Sequence, residues 1–481
     1  MRPRAVKSSS WLPSLKVRWE AFNGASAKHS VTVYLRECLQ RFPKRFELRA
    51  VSHDTKVGPA FPLHRNPPLP LSKCICTAHL PLLLGSDQVF LWTYALRMYH
   101  GEHVYSDFFQ FKPPGSDLIY LALFKLFGPR VWVTNAAVML LRLALCWTCF
   151  SIAKRLMKPE MALITSLFFT VNTYVKPLTA THHWYSLLAA LLALRTVMPG
   201  RTPLRIALAG VLFGIASFIT QTVGLAGAGA LLLALAWESF LTKKTWRVTV
   251  RFQFLLIASF VLTLAAVNAP FLMRVGWRQL WYLQTVYPRY VPYWFRKPFP
   301  GLPHPVVWRQ LLPLAPFLFT YAILPVIYLY TLWKCWHERQ NPSFRNNALL
   351  ALLSLTGLFL LLEIFPAVNW LRIYAISMPA TVLLFWRIST LGAFRRYITA
   401  AAWIVVVCLV ALQFWARHRK DYRVADLPAG KALLPGPKYE VYDWIIRHTS
   451  PGDFFLQTGG ARCLSSPGFA QSCVCGCTDD G

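Results

Sequence analysis

Apolar residues in this chain gather into long, nearly unbroken runs, rather than the period-2 alternation of a half-buried strand or the one-sided stripe of a surface helix. The runs cover roughly 131–153, 160–176, 184–198, 206–220, 223–241, 253–273, 310–333, 348–366, 373–391 and 397–415. A helix crossing the hydrocarbon core needs about 20 apolar residues. The pattern therefore predicts about ten transmembrane helices, the shorter ones tilting little or crossing incompletely. Cations punctuate alternate connections: Lys154, Arg155 and Lys158; Arg201 and Arg205; Lys243, Lys244, Arg247 and Arg251; Lys334, Arg339 and Arg345; Arg395 and Arg396. The preference of Lys and Arg for the cytoplasmic side puts these connections inside. The segment before residue 131, the turns at 177–183, near Gln221 and at 367–372, the loop 274–309 and the tail from 417 then face outward.

Composition agrees with this assignment. The chain of 481 residues is 55% hydrophobic and only 15% charged, with a mean hydropathy of +0.40, which excludes an ordinary soluble domain. A formal charge of +32 invites a nucleic-acid partner, but the cations sit at the ends of apolar runs, where they meet lipid headgroups. No nucleic acid is expected; membrane lipids are. The fold class is an all-α polytopic membrane protein with external interfacial helices.

Four regions follow. Residues 1–84 are basic and Pro-punctuated, lack the ordered regions of a signal peptide, and contain no span; Cys74 to Leu84 is too short and holds Pro81. Residues 85–130 form an external segment, 131–416 the transmembrane domain, and 417–481 an external tail. The eleven cysteines show no repeated Cys-x-x-Cys set. Cys473, Cys475 and Cys477 lie beside Asp479 and Asp480, but a structural zinc site needs four ligands at workable spacing. No metal or other cofactor is assigned, although the chemistry permits a divalent ion.

Acids are scarce where chemistry would occur. Between Asp87 and Glu363 there are eight: Asp87, Glu102, Asp107, Asp117, Glu160, Glu238, Glu338 and Glu363. Glu160, Glu238 and Glu338 fall at predicted cytoplasmic ends. Four of the other five cluster in the external segment 85–117, and acids gathered at a membrane face mark a functional site. Helical spacing of apolar residues over Val89–Tyr99 and Leu118–Phe127 predicts two helices lying in the interface plane, so that the segment caps the membrane domain.

The ordered series in this segment is Asp87, then Gly101-Glu102, Tyr105-x-Asp107-Phe108, Lys112-Pro113-Pro114-Gly115 and Leu126-Phe127-Gly128. In that order it resembles the GT-C superfamily of membrane glycosyltransferases, and within it the bacterial proteins similar to dolichyl-phosphate-mannose protein mannosyltransferases and to the aminoarabinose transferase of lipid A. The resemblance covers roughly 85–455, with looser echoes at Gln221 and Gly224 and at Trp444 … Thr449-Ser450-Pro451-Gly452-Asp453. The sequence departs from the family in lacking its first span, in having Gln88 where Glu is frequent, and in a C-terminal domain that stops soon after it begins. The resemblance implies inverting transfer of a sugar from a polyprenyl-phosphate carrier to an acceptor hydroxyl of a glycan, lipid or protein, without a nucleotide donor, on the outer face of a multi-pass protein of the bacterial inner membrane.

Under this resemblance Asp87 matches the general base that takes the acceptor proton, Asp107 is a second catalytic carboxylate orienting acceptor or base, and Lys112 meets the carrier phosphate and stabilises its departing charge. The bland alternatives are an Asp87 helix cap, an Asp107 bonded to its own loop backbone and a snorkelling Lys112. An independent signal comes from loop 274–309, which carries Arg274, Arg278, Arg289, Arg296, Lys297 and Arg309 and no acid. Interleaved aromatics suit sugar stacking or an interfacial belt. Arg289 and Arg296, with Arg372 beside Asn369, are thus candidates for the donor phosphate; Glu102, His182, His183 and Gln221 are candidates to line the site. Two rivals stand beside the transferase: a transporter or flippase for a lipid-linked sugar, disfavoured because transport places acids near mid-membrane, and an inactive product of a damaged gene.

Overall fold

The computed structural model describes residues 86–173, 181–242, 246–289, 314–339, 347–364, 368–392, 395–418, 422–427 and 430–448. The N-terminal region, Arg296 and the rest of the loop beyond residue 289, and the Cys473–Cys477 run lie outside the described residues. So do the side chains of Ser86 and Asp87, although both belong to a helix.

The chain is an α-helical membrane protein. The segment before the first long apolar run folds as α1 (Ser86–Tyr99) and α2 (Gly115–Phe127), which pack on each other. Trp92 meets Phe124 edge-on at 4.6 Å, and Tyr120 turns its edge to Tyr185 of the membrane domain. The inner face of the cap is thereby buried, while Tyr99, Leu126 and Phe127 remain exposed.

The membrane domain continues as α3 (Val131–Ala153), α4 (Pro159–Thr173), α5 (His182–Val197), α6 (Pro203–Ile219), α7 (Gln221–Thr242), α8 (Trp246–Trp281), α9 (Ala315–His337), α10 (Asn347–Leu360), α11 (Trp370–Ile376), α12 (Met378–Ser389) and α13 (Arg395–His418). All ten apolar runs therefore carry helix. Among the described residues four helices are long and apolar enough to cross a membrane by themselves: α3, α7, α8 and α9. Their outer faces expose Leu140, Leu143, Trp147, Leu262, Met273, Val326 and Trp333, a surface suited to lipid tails and not to water.

Two features depart from the sequence-based expectation. The run at 373–391 is not one straight helix: α11 and α12 meet at 58°. Ser377 breaks the hydrogen-bond ladder, and Pro379 at the second position of α12 restarts it. The tail after the last apolar run contributes a two-stranded hairpin to a fold expected to be all-α. Its strands β1 (Tyr422–Leu427) and β2 (Gly430–Pro435) pair antiparallel with Leu427 opposite Gly430, followed by α14 (Gly436–His448). Gly430 has φ of 120°, which a tight return requires and a side chain resists.

Close helix packing comes from small residues. A Cβ on Gly210 would stand 2.7 Å from the Leu256 carbonyl oxygen, and one on Gly214 would stand 2.7 Å from Thr263 Cβ. These glycines, four residues apart on one face of α6, let α8 approach as small-xxx-small pairs do in membranes. In the same way Gly115 seats the start of α2 on the Phe218 carbonyl at the end of α6, where a Cβ would lie 2.6 Å away. At the other end of the bundle Arg201 donates to Glu238 at 3.0 Å, tying the basic connection before α6 to the far end of α7.

Candidate functional site

The ends of the bundle opposite the Arg201–Glu238 pair hold a buried polar cluster. His182 and His183 open α5, Gln221 and Thr222 open α7, and Glu363 lies in a single 3-10 turn, Leu361–Glu363, that finishes α10. His183 Nδ1 lies 3.0 Å from Glu363 Oε1, and both side chains are about as buried as core leucines, at 6% and 5% exposure. Thr222 Oγ1 donates to the other carboxylate oxygen. Asn369 caps α11 by accepting the Arg372 N–H at 2.9 Å, which orients Arg372 so that its Nη1 donates to the Glu363 carbonyl at 3.0 Å. A buried acid is costly without partners. Here His183, Thr222 and the nearby Arg372 provide them.

Lys112 reaches the same place from the cap. Its carbonyl accepts from the Tyr105 hydroxyl, which accepts in turn from Gln284, a residue bonded by Gln221 at the edge of the cluster; Lys112 and Arg372 lie on segments far apart in sequence and both remain partly exposed. Arg372 at the buried cluster and Lys112 in the adjoining loop make this end of the bundle positive. An anion is the natural complement.

The loop between α1 and α2 is tightly built. Tyr105, 3% exposed, donates from its hydroxyl to the Lys112 carbonyl at 2.9 Å and accepts from Gln284 Nε2 at 3.0 Å. Burial raises its phenol pKa above the ordinary value. Gln221 Nε2 donates to the Gln284 carbonyl at 2.5 Å, so Gln221 braces the π-turn Tyr282–Val286 that follows α8. Gln110 Nε2 donates to Asp117 Oδ2 at 3.0 Å. Asp117 is 1% exposed, and its desolvation pushes the carboxyl up to about 7 despite Gln110 and the Lys112 charge.

The other predicted residues are placed as follows. Asp87 lies in the first turn of α1 and immediately precedes Gln88, which is fully buried. Asp107 is exposed and accepts from the His103 backbone N–H at 2.8 Å, with His103 Nδ1 at 3.1 Å; that backbone bond, followed by the His103 and Ser106 side chains, holds its carboxyl below the usual range. Glu102 pairs with Arg97 on α1. Both acids thus sit on the rim of the cap, in local bonds. Arg289 is exposed at the end of the 3-10 turn Tyr287–Arg289, while Tyr287 meets Phe109 edge-on at 5.0 Å and lies tilted against Phe111 at 5.6 Å. The start of the basic aromatic loop therefore lies against the segment that carries Lys112.

His182, His183, Gln221, Lys112 and Arg372 thus share one region, whereas Glu102 and Asp107 do not join the buried cluster. Sequence reasoning left Glu363, Thr222, Tyr105, Gln110 and Gln284 outside the site. A signal existed for Glu363, as the one acid in an apolar run that does not fall at a predicted cytoplasmic end. Among the described residues no group of three His, Cys, Asp or Glu side chains is arranged to hold a metal ion.

No protein-family model and no curated protein sequence matches the chain. Among solved structures, ArnT from Cupriavidus metallidurans bound to undecaprenyl phosphate is similar over 68% of this chain and 60% of its own, at 16% identity and a TM-score of 0.48. The oligosaccharyltransferase of Archaeoglobus fulgidus in complex with zinc and sulfate is similar over 78% of this chain and 52% of its own, at 13% identity and a TM-score of 0.46. AglB from Archaeoglobus fulgidus, in complex with an inhibitory peptide and a dolichol-phosphate, gives 12% identity, 78% and 55% coverage and a TM-score of 0.44. The chain therefore spans between 52% and 60% of the length of these structures. At such scores the likeness carries no residue-by-residue correspondence.

Proposed function

We propose that this chain is an inverting glycosyltransferase that moves a sugar from a polyprenyl-phosphate carrier to an acceptor hydroxyl at the outer face of a cell membrane. The observation that carries the proposal is the buried cluster of His183, Glu363 and Thr222 with Arg372 bonded to the Glu363 carbonyl, which joins the loop carrying Lys112 through Gln221, Gln284 and Tyr105. Basic connections gather at the opposite end of α5 and α7, so the positive-inside preference directs this cluster outward. In a bacterium that face is the periplasmic side of the inner membrane.

The chemistry follows from the charges. An acceptor oxygen attacks the anomeric carbon on the face opposite the phosphate, a carbon–oxygen bond forms as the sugar–phosphate bond breaks, and the configuration inverts. The acceptor proton goes to the Asp87 carboxylate, placed by its position in the motif series as general base. The bonding pair leaves with the phosphate oxygen, whose growing charge Lys112 and Arg372 stabilise. Arg289, exposed where the loop begins, extends this positive field, Arg296 is assigned to the donor phosphate from the sequence alone, and His182, His183 and Gln221 line the base. Asp107 and Glu102 at the rim meet the incoming acceptor.

A carrier that moves the lipid-linked sugar intact is the second reading. It is favoured by the buried Glu363–His183 pair beside a broken helix, since transporters use such elements. Reconstituted protein given polyprenyl-phosphate sugars and candidate acceptors separates the two. The transferase reading predicts new glycosidic product and free polyprenyl phosphate, both lost in Asp87→Asn. Donor that crosses the bilayer without cleavage contradicts it.

A further inference from the structure

Lys112 owes its place to peptide bonds that are held from both sides. On the N–H side, Gln110 Oε1 accepts from the backbone N–H of Phe111 at 3.0 Å and of Lys112 at 3.3 Å. Gln110 is 2% exposed, and its amide nitrogen is anchored on buried Asp117. On the carbonyl side, the Tyr105 hydroxyl donates to Lys112 O, and that hydroxyl is fixed in turn by Gln284 Nε2, which also donates to Asn268 Oδ1 at 3.0 Å. Tyr105 carries φ of 74°, the only positive φ at a non-glycine among the described residues. A bulky residue keeps that conformation only where its surroundings over-determine it. They do: its N–H donates to Phe108 O at 3.0 Å, its carbonyl accepts from Gln279 Nε2 at 2.9 Å, and its ring stands edge-on to Phe271 at 5.7 Å.

We infer that Tyr105 and Gln110 are positioning residues that clamp the Lys112 peptide from opposite sides and so aim its ammonium at an anionic headgroup. The clamp rests on the proposed donor-phosphate role of Lys112. A lysine side chain has four rotatable bonds and loses freedom on binding. Fixing its backbone removes part of that cost before the ligand arrives. The carbonyl half of the clamp also ties Lys112 to the π-turn from which Arg289 follows, so the two cationic segments keep a common register.

The test uses the full-length protein in lipid nanodiscs with undecaprenyl phosphate as the probe. Tyr105→Phe removes only the hydroxyl. Loss of one such bond is expected to weaken binding about fivefold to tenfold, whereas in a Lys112→Ala background the same change should have no further effect. Equal losses in both backgrounds would show that Tyr105 acts on the fold and not through Lys112, and would overturn the inference. Should Tyr105→Phe not assemble, Gln284→Met, close in shape, removes the bond that fixes the Tyr105 hydroxyl on the Lys112 carbonyl. Acylation of Lys112 by an amine reagent, read by mass spectrometry against Lys125, separates this inference from the functional one. If the wild-type protein binds no lipid phosphate, the donor role fails; a Lys112 rate changed several-fold by Tyr105→Phe then still supports the clamp, and an unchanged rate rejects it.

Discussion

Removing Glu363 should cost more than any other single carboxylate in the described structure, and the cost should belong to the pair it forms with His183. Their facing atoms lie 3.0 Å apart and both side chains are buried. At that separation and an effective dielectric near 20, full charges attract by about 5 kcal/mol, from which desolvation takes a large part. Glu363→Leu leaves the His183 ring and the Thr222 hydroxyl without their acceptor, so a loss of about 3–5 kcal/mol is expected. His183→Leu strands the carboxylate instead and should cost about as much. In the double variant the imidazole and the carboxylate are both gone, and only the Thr222 hydroxyl stays without its acceptor. The two losses should therefore fall short of additive by about 2–3 kcal/mol. Reversible unfolding in mixed micelles, followed by tryptophan fluorescence across the four proteins of the cycle, measures this coupling. Losses that add to within about 0.5 kcal/mol would mean that the pair is not a unit and that the floor of the site has been misassigned.

Further outcomes follow from the cap. Asp117 holds its proton up to about pH 7 in the folded protein but only to about 3.9 when unfolded. Its contribution is therefore full below about pH 4 and declines as pH rises to 7, by at most about 4 kcal/mol; Asp117→Asn should flatten stability across that interval, as pH-dependent unfolding would show. Lys112→Ala should weaken undecaprenyl phosphate binding by about tenfold to a hundredfold, the worth of a charge-assisted bond, in a direct binding titration. Gly115→Val presses a side chain against the Phe218 carbonyl. It should cost about 1–3 kcal/mol and raise protease cleavage between α1 and α2.

Much of the architecture is legible in the sequence because a bilayer demands long apolar runs, and runs are visible without any knowledge of contacts. Lys112, His182, His183, Gln221 and Arg372 stand out for a related reason: each is a polar residue at the end of a run or in the cap beside it. Glu363 is harder to place from sequence, since its partners Thr222 and His183 lie in other helices and no spacing rule pairs them. The same holds for the Tyr105–Gln284 bond, which joins residues 179 positions apart. The bend at Ser377 hides inside an uninterrupted apolar run, and hydropathy does not register it. The hairpin at 422–435 lies beyond the last span, where the apolar pattern that carries the rest of the argument ends.

The central claim is that this chain cleaves a polyprenyl-phosphate sugar and transfers the sugar outward. Glycan and lipid profiling of a strain deleted for the gene, complemented by the wild-type chain or by Asp87→Asn, tests it most directly. The account predicts that deletion removes one sugar from an envelope glycan, lipid or protein while its polyprenyl-phosphate donor accumulates, that the wild-type chain restores the sugar, and that Asp87→Asn inserts into the membrane without restoring it. An unchanged profile on deletion, or full restoration by Asp87→Asn, would contradict it.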